Sequence, residues 1–327
     1  MNKEETMTKK NSILKSQTFK DFLPSIVIIV VLIVAGELAS PGFAKVNNIF
    51  NILTRASILT VACIGQAVVM ISGNAGIDMS VGSVMSMACL VGPMITGGTN
   101  GGILLAILAF IGIGIVIGVV SGVCIQYLRI PALVMTLAMS AIVNGLTLGL
   151  TRGQPTMTMP PLLLDLGLPF IGPVRLMTVV CIVILLIMLL VLHKTNYGRS
   201  LFVVGSNRNA ARLAGLKVNI VVIVAYILSA IMAGLAGLML VGYVGSAQLS
   251  MAEEYTLLSV AAVVIGGTKL SGGKGGLVGG ALGAMVLFLL TSILTALGLP
   301  DGVRELIQGA MLLAVILINS REAKLRA

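Results

Sequence analysis

Apolar runs of about 20 residues, separated by short polar or Gly/Pro-rich breaks, occupy almost the whole chain. They fall at 23–39, 49–71, 79–95, 103–126, 132–150, 174–192, 220–243, 255–266, 277–297 and 303–318. A hydrocarbon layer roughly 30 Å thick takes about 20 such residues per helical crossing. Lipid offers no partner to a backbone N–H or C=O, so each run is expected to satisfy its hydrogen bonds internally, as a helix. The pattern predicts an all-α, polytopic membrane protein with about ten transmembrane helices. They form one membrane domain over 23–319, flanked by tails at 1–22 and 320–327. The eighth run is too short to cross as a straight helix, and is expected to be re-entrant or to continue into Gly266 and Gly267.

Composition removes the soluble alternatives. Hydrophobic residues make up 57% of the chain, charged residues 10%, and mean hydropathy is +1.11, which leaves too little charge to coat a water-facing surface. The net charge of +10 comes without a basic run interleaved with aromatics, and Trp is absent, so nucleic acid is not an expected partner. The charge sets topology instead. With the Lys-bearing N-terminus inside, ten crossings put 1–22, 127–131, 193–218, 267–276 and 319–327 on the cytoplasmic side. Those segments carry most of the 21 Lys and Arg, and both termini are expected to be cytoplasmic. A cleaved signal peptide is the rival reading of the first run, which follows lysines and precedes Ala39 and Ser40. The run is longer than a usual signal core and further spans follow it, so an uncleaved anchor is simpler.

Cys63, Cys89, Cys124 and Cys181 lie inside apolar runs and read as small packed hydrophobes. His193 is the sole histidine, so no hydrolytic triad or metal site is expected, and the chain is not read as an enzyme. Much of the Gly content, including Gly112, Gly114, Gly118, Gly234 and Gly237, reads as close helix packing.

Three breaks carry more. In the first, 73–83, Asp78 is costly in a membrane and needs a helix end, a wet cavity or a partner. It is read either as an N-cap of the third span or, with Asn74 and Ser80, as part of a solute route exposed by a broken helix. Gln66, Asn144 and Thr147 are further candidates to line that route, with interhelical hydrogen bonding the equal alternative for Gln66 and Asn144. The absence of a basic residue deep within a span favours a neutral solute over an anionic one.

The second break, 193–218, predicts a helix of about two turns between an Asn207 N-cap and Gly215 at C′. Ala210, Ala211 and Ala214 would offer a smooth contact face, with Arg208 and Arg212 presenting charge toward one side. A capped, alanine-faced helix is more than topology needs and reads as a docking element. The third break, 265–276, lacks the Walker A spacing, having Thr268 and Gly275 at required positions, so the chain is not expected to bind ATP. Gly266, Gly267, Gly272 and Gly273 are expected to form a hinge or helix break.

Taken together, these segments resemble the ribose-type permease family of ATP-binding cassette (ABC) importers, from about Asn47 to Asn319. The similarity lies in Gly76-Ile77-Asp78-Met79-Ser80-Val81-Gly82-Ser83, in Arg129-Ile130-Pro131-Ala132 with Thr136-Leu137, in Gly198-Arg199 with Gly205-Ser206-Asn207-Arg208-Asn209-Ala210-Ala211, and in 261–268. Met79 and Lys269 depart from the family's usual Leu and small residue. The resemblance implies a dimer of permease chains in a bacterial inner membrane, importing a small polar solute, most simply a monosaccharide. A cytoplasmic ATPase carrying ATP and Mg would dock on a coupling loop comprising Gly198, Arg199, Gly205, Asn207, Arg208, Ala210, Ala211, Arg212 and Gly215. An extracytoplasmic binding protein would deliver the solute. Branched-chain amino acids, nucleosides or a signalling furanose are alternative cargoes, and an ion-coupled secondary transporter is the alternative mechanism.

Overall fold

The computed structural model describes residues 23–154 and 158–321; the expected tails at 1–22 and beyond 321 lie outside the described residues. The described residues are mostly helical. In order they form α1 (Leu23–Ala39), α2 (Val46–Ile71), α3 (Val81–Thr96), a 3₁₀ turn (Asn100–Gly102), α4 (Ile103–Gln126), α5 (Ala132–Thr151) and α6 (Pro161–Asp165). A hairpin of β1 (Pro169–Ile171) and β2 (Val174–Arg175) follows, then α7 (Leu176–Lys194), α8 (Asn196–Ser206), α9 (Arg208–Leu213) and α10 (Val218–Val244). The chain continues through α11 (Tyr255–Ile265), α12 (Leu277–Ala296) and α13 (Asp301–Arg321).

The architecture is the all-α, polytopic one expected, with one small addition: Ile171 pairs antiparallel with Val174 across a turn in which Gly172 takes φ +57°, a conformation open to glycine. Among the described residues, 6 helices (α2, α4, α5, α7, α10 and α12) are long and apolar enough to cross a membrane. α1, α3 and α11 are shorter apolar helices. At 16 and 11 residues, α3 and α11 rise only about 24 and 16 Å, less than a hydrocarbon core. They start side by side within the bundle, where the Gly82 N–H donates to Thr256 Oγ1 (3.0 Å) and the Ala252 N–H to Ser86 Oγ (3.1 Å). The non-helical 245–254 segment thus reaches α3 with its backbone partly satisfied by protein, as irregular backbone within a bilayer requires.

α2 is the hub. Its apolar window is 89% buried, against 28% for α4, α5 and α7, whose outer faces are left for lipid. In lipid there is no hydrophobic drive between helices, so close backbone approach must hold the bundle. Gly114, Gly118 and Gly122, one turn apart on α4, lie against the backbone of Ile231, Ile227 and Ile223 on α10. Gly65 of α2 meets Ser229 of α10 in the same way, and Gly237 meets Met85 of α3. Gly112, grouped with these from the sequence, faces open space.

The loops sort into two ends. Residues 72–76, 127–130, 195–217 and 266–276 gather at one, as the Gly73–Gly205–Gly272 contacts and a cavity lined by Tyr127, Arg212 and Lys217 attest. Residues 97–102 and 158–175 gather at the other, where Asn100 Oδ1 accepts from the Leu162 N–H (2.9 Å) and Arg175 reaches Asn51 (2.5 Å). The first end carries Arg129, Lys194, Arg199, Arg208, Arg212, Lys217, Lys269 and Lys274, and its loops contain no acid.

Candidate functional site

α9 is short but closed at both ends. The Asn207 side chain accepts from the N–H groups of Asn209 and Ala210, both at 3.0 Å. At the other end Gly215 takes φ +77°, its N–H donates to the Arg212 carbonyl (3.0 Å), and the Leu216 N–H donates to that of Ala211 (3.0 Å). These two bonds form a Schellman motif, the C-terminal closure that a glycine at C′ permits. α8, which precedes it, is absent from the sequence reading. Its signal is the buried face Gly198, Leu201 and Val204 at helical spacing, opened by Thr195 as N-cap (3.4 Å to the Gly198 N–H). A Cβ at Gly198 would overlap the Leu192 carbonyl, so α8 turns tightly back against α7.

The expected outward face is corrected in two places. Ala211 is fully buried against its own chain, and only Ala210 and Ala214 are exposed. Arg208 and Arg212 do not share a side: Arg212 is exposed, whereas Arg208 turns inward and its Nη2 donates to the carbonyls of Ser72 (3.3 Å) and Gly73 (3.2 Å). A six-residue helix anchored on one flank must turn part of its circumference inward, and periodicity alone does not say which. Burial, with Arg212 nearby, lowers the Arg208 pKa from its ordinary value against an opposing influence from Tyr226. Leu213, by contrast, is 91% exposed. Arg199 is also exposed, held to Asn196 Oδ1 at 2.6 Å.

The glycines expected to form a hinge are tightly packed. Gly273 N–H donates to the Ile71 carbonyl (3.0 Å). A Cβ at Gly272 would overlap the Gly73 backbone, and one at Gly205 would overlap the Ile71 carbonyl. Gly266 presses on Gly279 of α12, and Gly267 takes φ +87°.

The polar residues proposed for a route separate into groups. Gln66, Asp78 and Ser80 are buried and satisfy one another. Asp78 Oδ1 accepts from the Ser80 N–H (2.9 Å) and Oγ (2.6 Å), while Ser80 itself is the N-cap of α3, so Asp78 sits two residues ahead of the cap. With its amide oriented donor to acceptor, Gln66 spans the Asp78 backbone, donating to its C=O at 3.1 Å and accepting from its N–H at 3.3 Å. Thr147 is buried and bonded to the Val143 carbonyl (2.8 Å). Asn74 is exposed at the cationic end, apart from the rest, with φ +59°. Asn144 is half-buried on α5, where its Nδ2 donates to Glu253 Oε1 (3.3 Å). Next to it, the exposed Glu254 faces Glu305 across a cavity of about 190 Å³ that Gln308 also lines. Glu253, Glu254 and Glu305 are not among the route candidates the sequence suggests, because they fall in or near short connections; only the packing of α11 against α13 brings the last two together.

A family profile described as the branched-chain amino acid transport system permease component matches residues 48–316. The ribose import permease RbsC of Escherichia coli K12 is 35% identical over 302 residues, covering 91% of this chain and 93% of that protein. RbsC of Bacillus subtilis 168 is 31% identical, covering 90% and 91%. The autoinducer 2 import system permease LsrC of Escherichia coli SMS-3-5 is 31% identical, covering 91% and 86%. The chain belongs to this ABC importer permease family. No solved structure matches it.

As an ABC importer permease it is a multi-pass transport subunit and not itself an ATPase, and its family works with an ATPase and a substrate-binding protein. The permease therefore needs two kinds of surface: one that receives motion from a water-soluble motor, and one along which solute moves. α9, with its exposed Leu213, and the face of Asn144, Glu253 and Glu254 are candidates for these two surfaces.

Proposed function

We propose that this permease imports a small neutral polyhydroxylated solute, a monosaccharide, across the bacterial inner membrane, driven by a separate ATPase that holds ATP and Mg. The observation that carries the reading is α9, a doubly capped helix that turns the 91% exposed Leu213 away from the chain at the cationic end. So exposed a leucine on so well fixed a helix suits an apolar pocket on a partner. In this reading the positive-inside rule makes the acid-free end cytoplasmic, and both termini, the coupling loop 193–218 and the motor belong on that side. In this reading 23–319 is the membrane domain and the tails 1–22 and 320–327 lie in the cytoplasm.

The Asn144, Glu253, Glu254 and Glu305 face is the proposed solute route. A carboxylate turned to acyl chains costs about 2.5–3.5 kcal/mol, so this face suits a second permease chain with solute passing between the two. Carboxylates and amides accept from and donate to sugar hydroxyls, and no Lys or Arg among the described residues is fully buried to hold an anion. The relatives named for ribose and autoinducer 2 support such a cargo. Gln66, Asp78 and Ser80 act in this reading as an internal latch ahead of α3. Closure of the ATPase would move α9 and swing the bundle between inward and outward openings.

The test is uptake of labelled ribose by proteoliposomes containing the permease, its ATPase and its binding protein. Uptake that requires ATP, and falls in Glu254→Gln with insertion intact, supports the reading. Uptake without the ATPase contradicts it, and selective uptake of leucine instead would reassign the cargo.

A further inference from the structure

We propose that Arg208 is a positioning residue that ties the docking helix to the broken segment ahead of α3. The inference rests on the reading that α9 docks the ATPase. Arg208 is the first residue of α9, yet its guanidinium points away from the exposed Leu213 and Ala214 and into the bundle. Nη2 lies 3.3 Å from the Ser72 carbonyl and 3.2 Å from that of Gly73. Both acceptors stand at the C-terminal end of α2, where the helix dipole is negative and the last carbonyls have no intrahelical partner, so a fixed cation suits them better than a neutral donor.

Around this bond three chain segments meet largely backbone to backbone, with Ser206 against Gly273. Gly205 lies on the Ile71 carbonyl, Gly272 on Gly73, and Gly273 donates its N–H to Ile71 at 3.0 Å. Close-packed backbone of this kind has nothing that can yield, so a displacement of 205–208 passes to 71–73 as a shift of the whole turn. From Gly73 the chain runs to Asp78, whose backbone is held by Gln66, and then to Ser80 at the cap of α3. α3 ends short of a full crossing and starts beside α11, which leads back to the Gly266–Gly276 loop. The glycine junction sets the contact, and the Arg208 bonds keep it closed while α9 is pulled. Without them α9 would still sit on its motor, but its travel would not reach α3.

The experiment uses the assembled permease, ATPase and binding protein in lipid, with Arg208→Gln and Arg208→Lys. Both variants are expected to insert and to retain the ATPase. Arg208→Gln should lose tenfold or more in solute moved per ATP hydrolysed, and Arg208→Lys, which keeps a cation within reach of one carbonyl, should recover part of that loss. An unchanged transport-to-hydrolysis ratio in Arg208→Gln overturns the proposal. So does selective loss of the ATPase from that variant, which would make Arg208 a docking contact. Should Arg208→Gln fail to fold, spin labels at Asn74→Cys and Ala214→Cys in the otherwise wild-type chain decide: both must move on ATP addition, and motion at 214 alone overturns the idea. The parent reading fails separately, if Leu213→Asp binds the ATPase as well as wild type.

Discussion

Replacing Leu213 by Ala removes three carbons from a side chain that is 91% exposed in the isolated permease. The described residues cover little of that side chain, so the folded permease should barely feel the change. If docking buries them fully, the loss is about 2.4 kcal/mol at about 0.8 kcal/mol per carbon; partial burial gives about 1 kcal/mol. At about 1.4 kcal/mol per decade, affinity for the ATPase should fall between about 5-fold and 50-fold. The assay is titration of labelled ATPase onto the permease in nanodiscs, paired with a melting curve of the permease alone. A fall in affinity at constant Tm is expected. Unchanged affinity, or a lower Tm without the ATPase present, would refute the reasoning. Ala211→Asp is unsuitable for this purpose, because Ala211 is fully buried and an aspartate there would be an unpaired internal charge.

Three other outcomes follow from the packing. Gly114→Val places atoms where even a Cβ would lie 2.8 Å from the Ile231 backbone nitrogen, forcing α4 from α10 at a cost of about 1–3 kcal/mol; a raised Tm would mean that helix propensity outweighs the contact. Gln66→Leu leaves the Asp78 N–H and C=O buried without partners, costing about 1–3 kcal/mol per group, and a Tm equal to wild type would argue against the amide bridge. Asn207→Ala removes the cap of α9, worth about 1 kcal/mol, so exchange at the Asn209 and Ala210 amides should quicken about fivefold; unaltered exchange would show the cap to be idle.

The helices were legible because lipid permits little else: each apolar run had to close its own backbone hydrogen bonds, and the Gly/Pro breaks marked where it could stop. The caps of α9 were legible for a local reason, since Asn207 and Gly215 act within a few residues of themselves. What escaped the sequence is non-local. Arg208 and Arg212 are equally basic and one turn apart, and only the presence of the α2 terminus beneath the helix turns one of them inward. Gly73, Gly205 and Gly272 belong to three distant loops, so their shared junction has no periodicity to betray it. α8 was hidden by its own composition, as polar Asn196, Arg199 and Ser200 surround the buried Gly198, Leu201 and Val204. Asp78 was read as a cap or a route residue, and its burial depends on Gln66 from the preceding helix.

Site-specific crosslinking in the assembled transporter tests the central claim most directly. A photoreactive residue at Leu213 should capture the ATPase, and one at Phe170 in the opposite-end hairpin, 58% exposed, should not. Capture of the ATPase from Phe170 instead, or of the binding protein from Leu213, would invert the orientation and contradict the account.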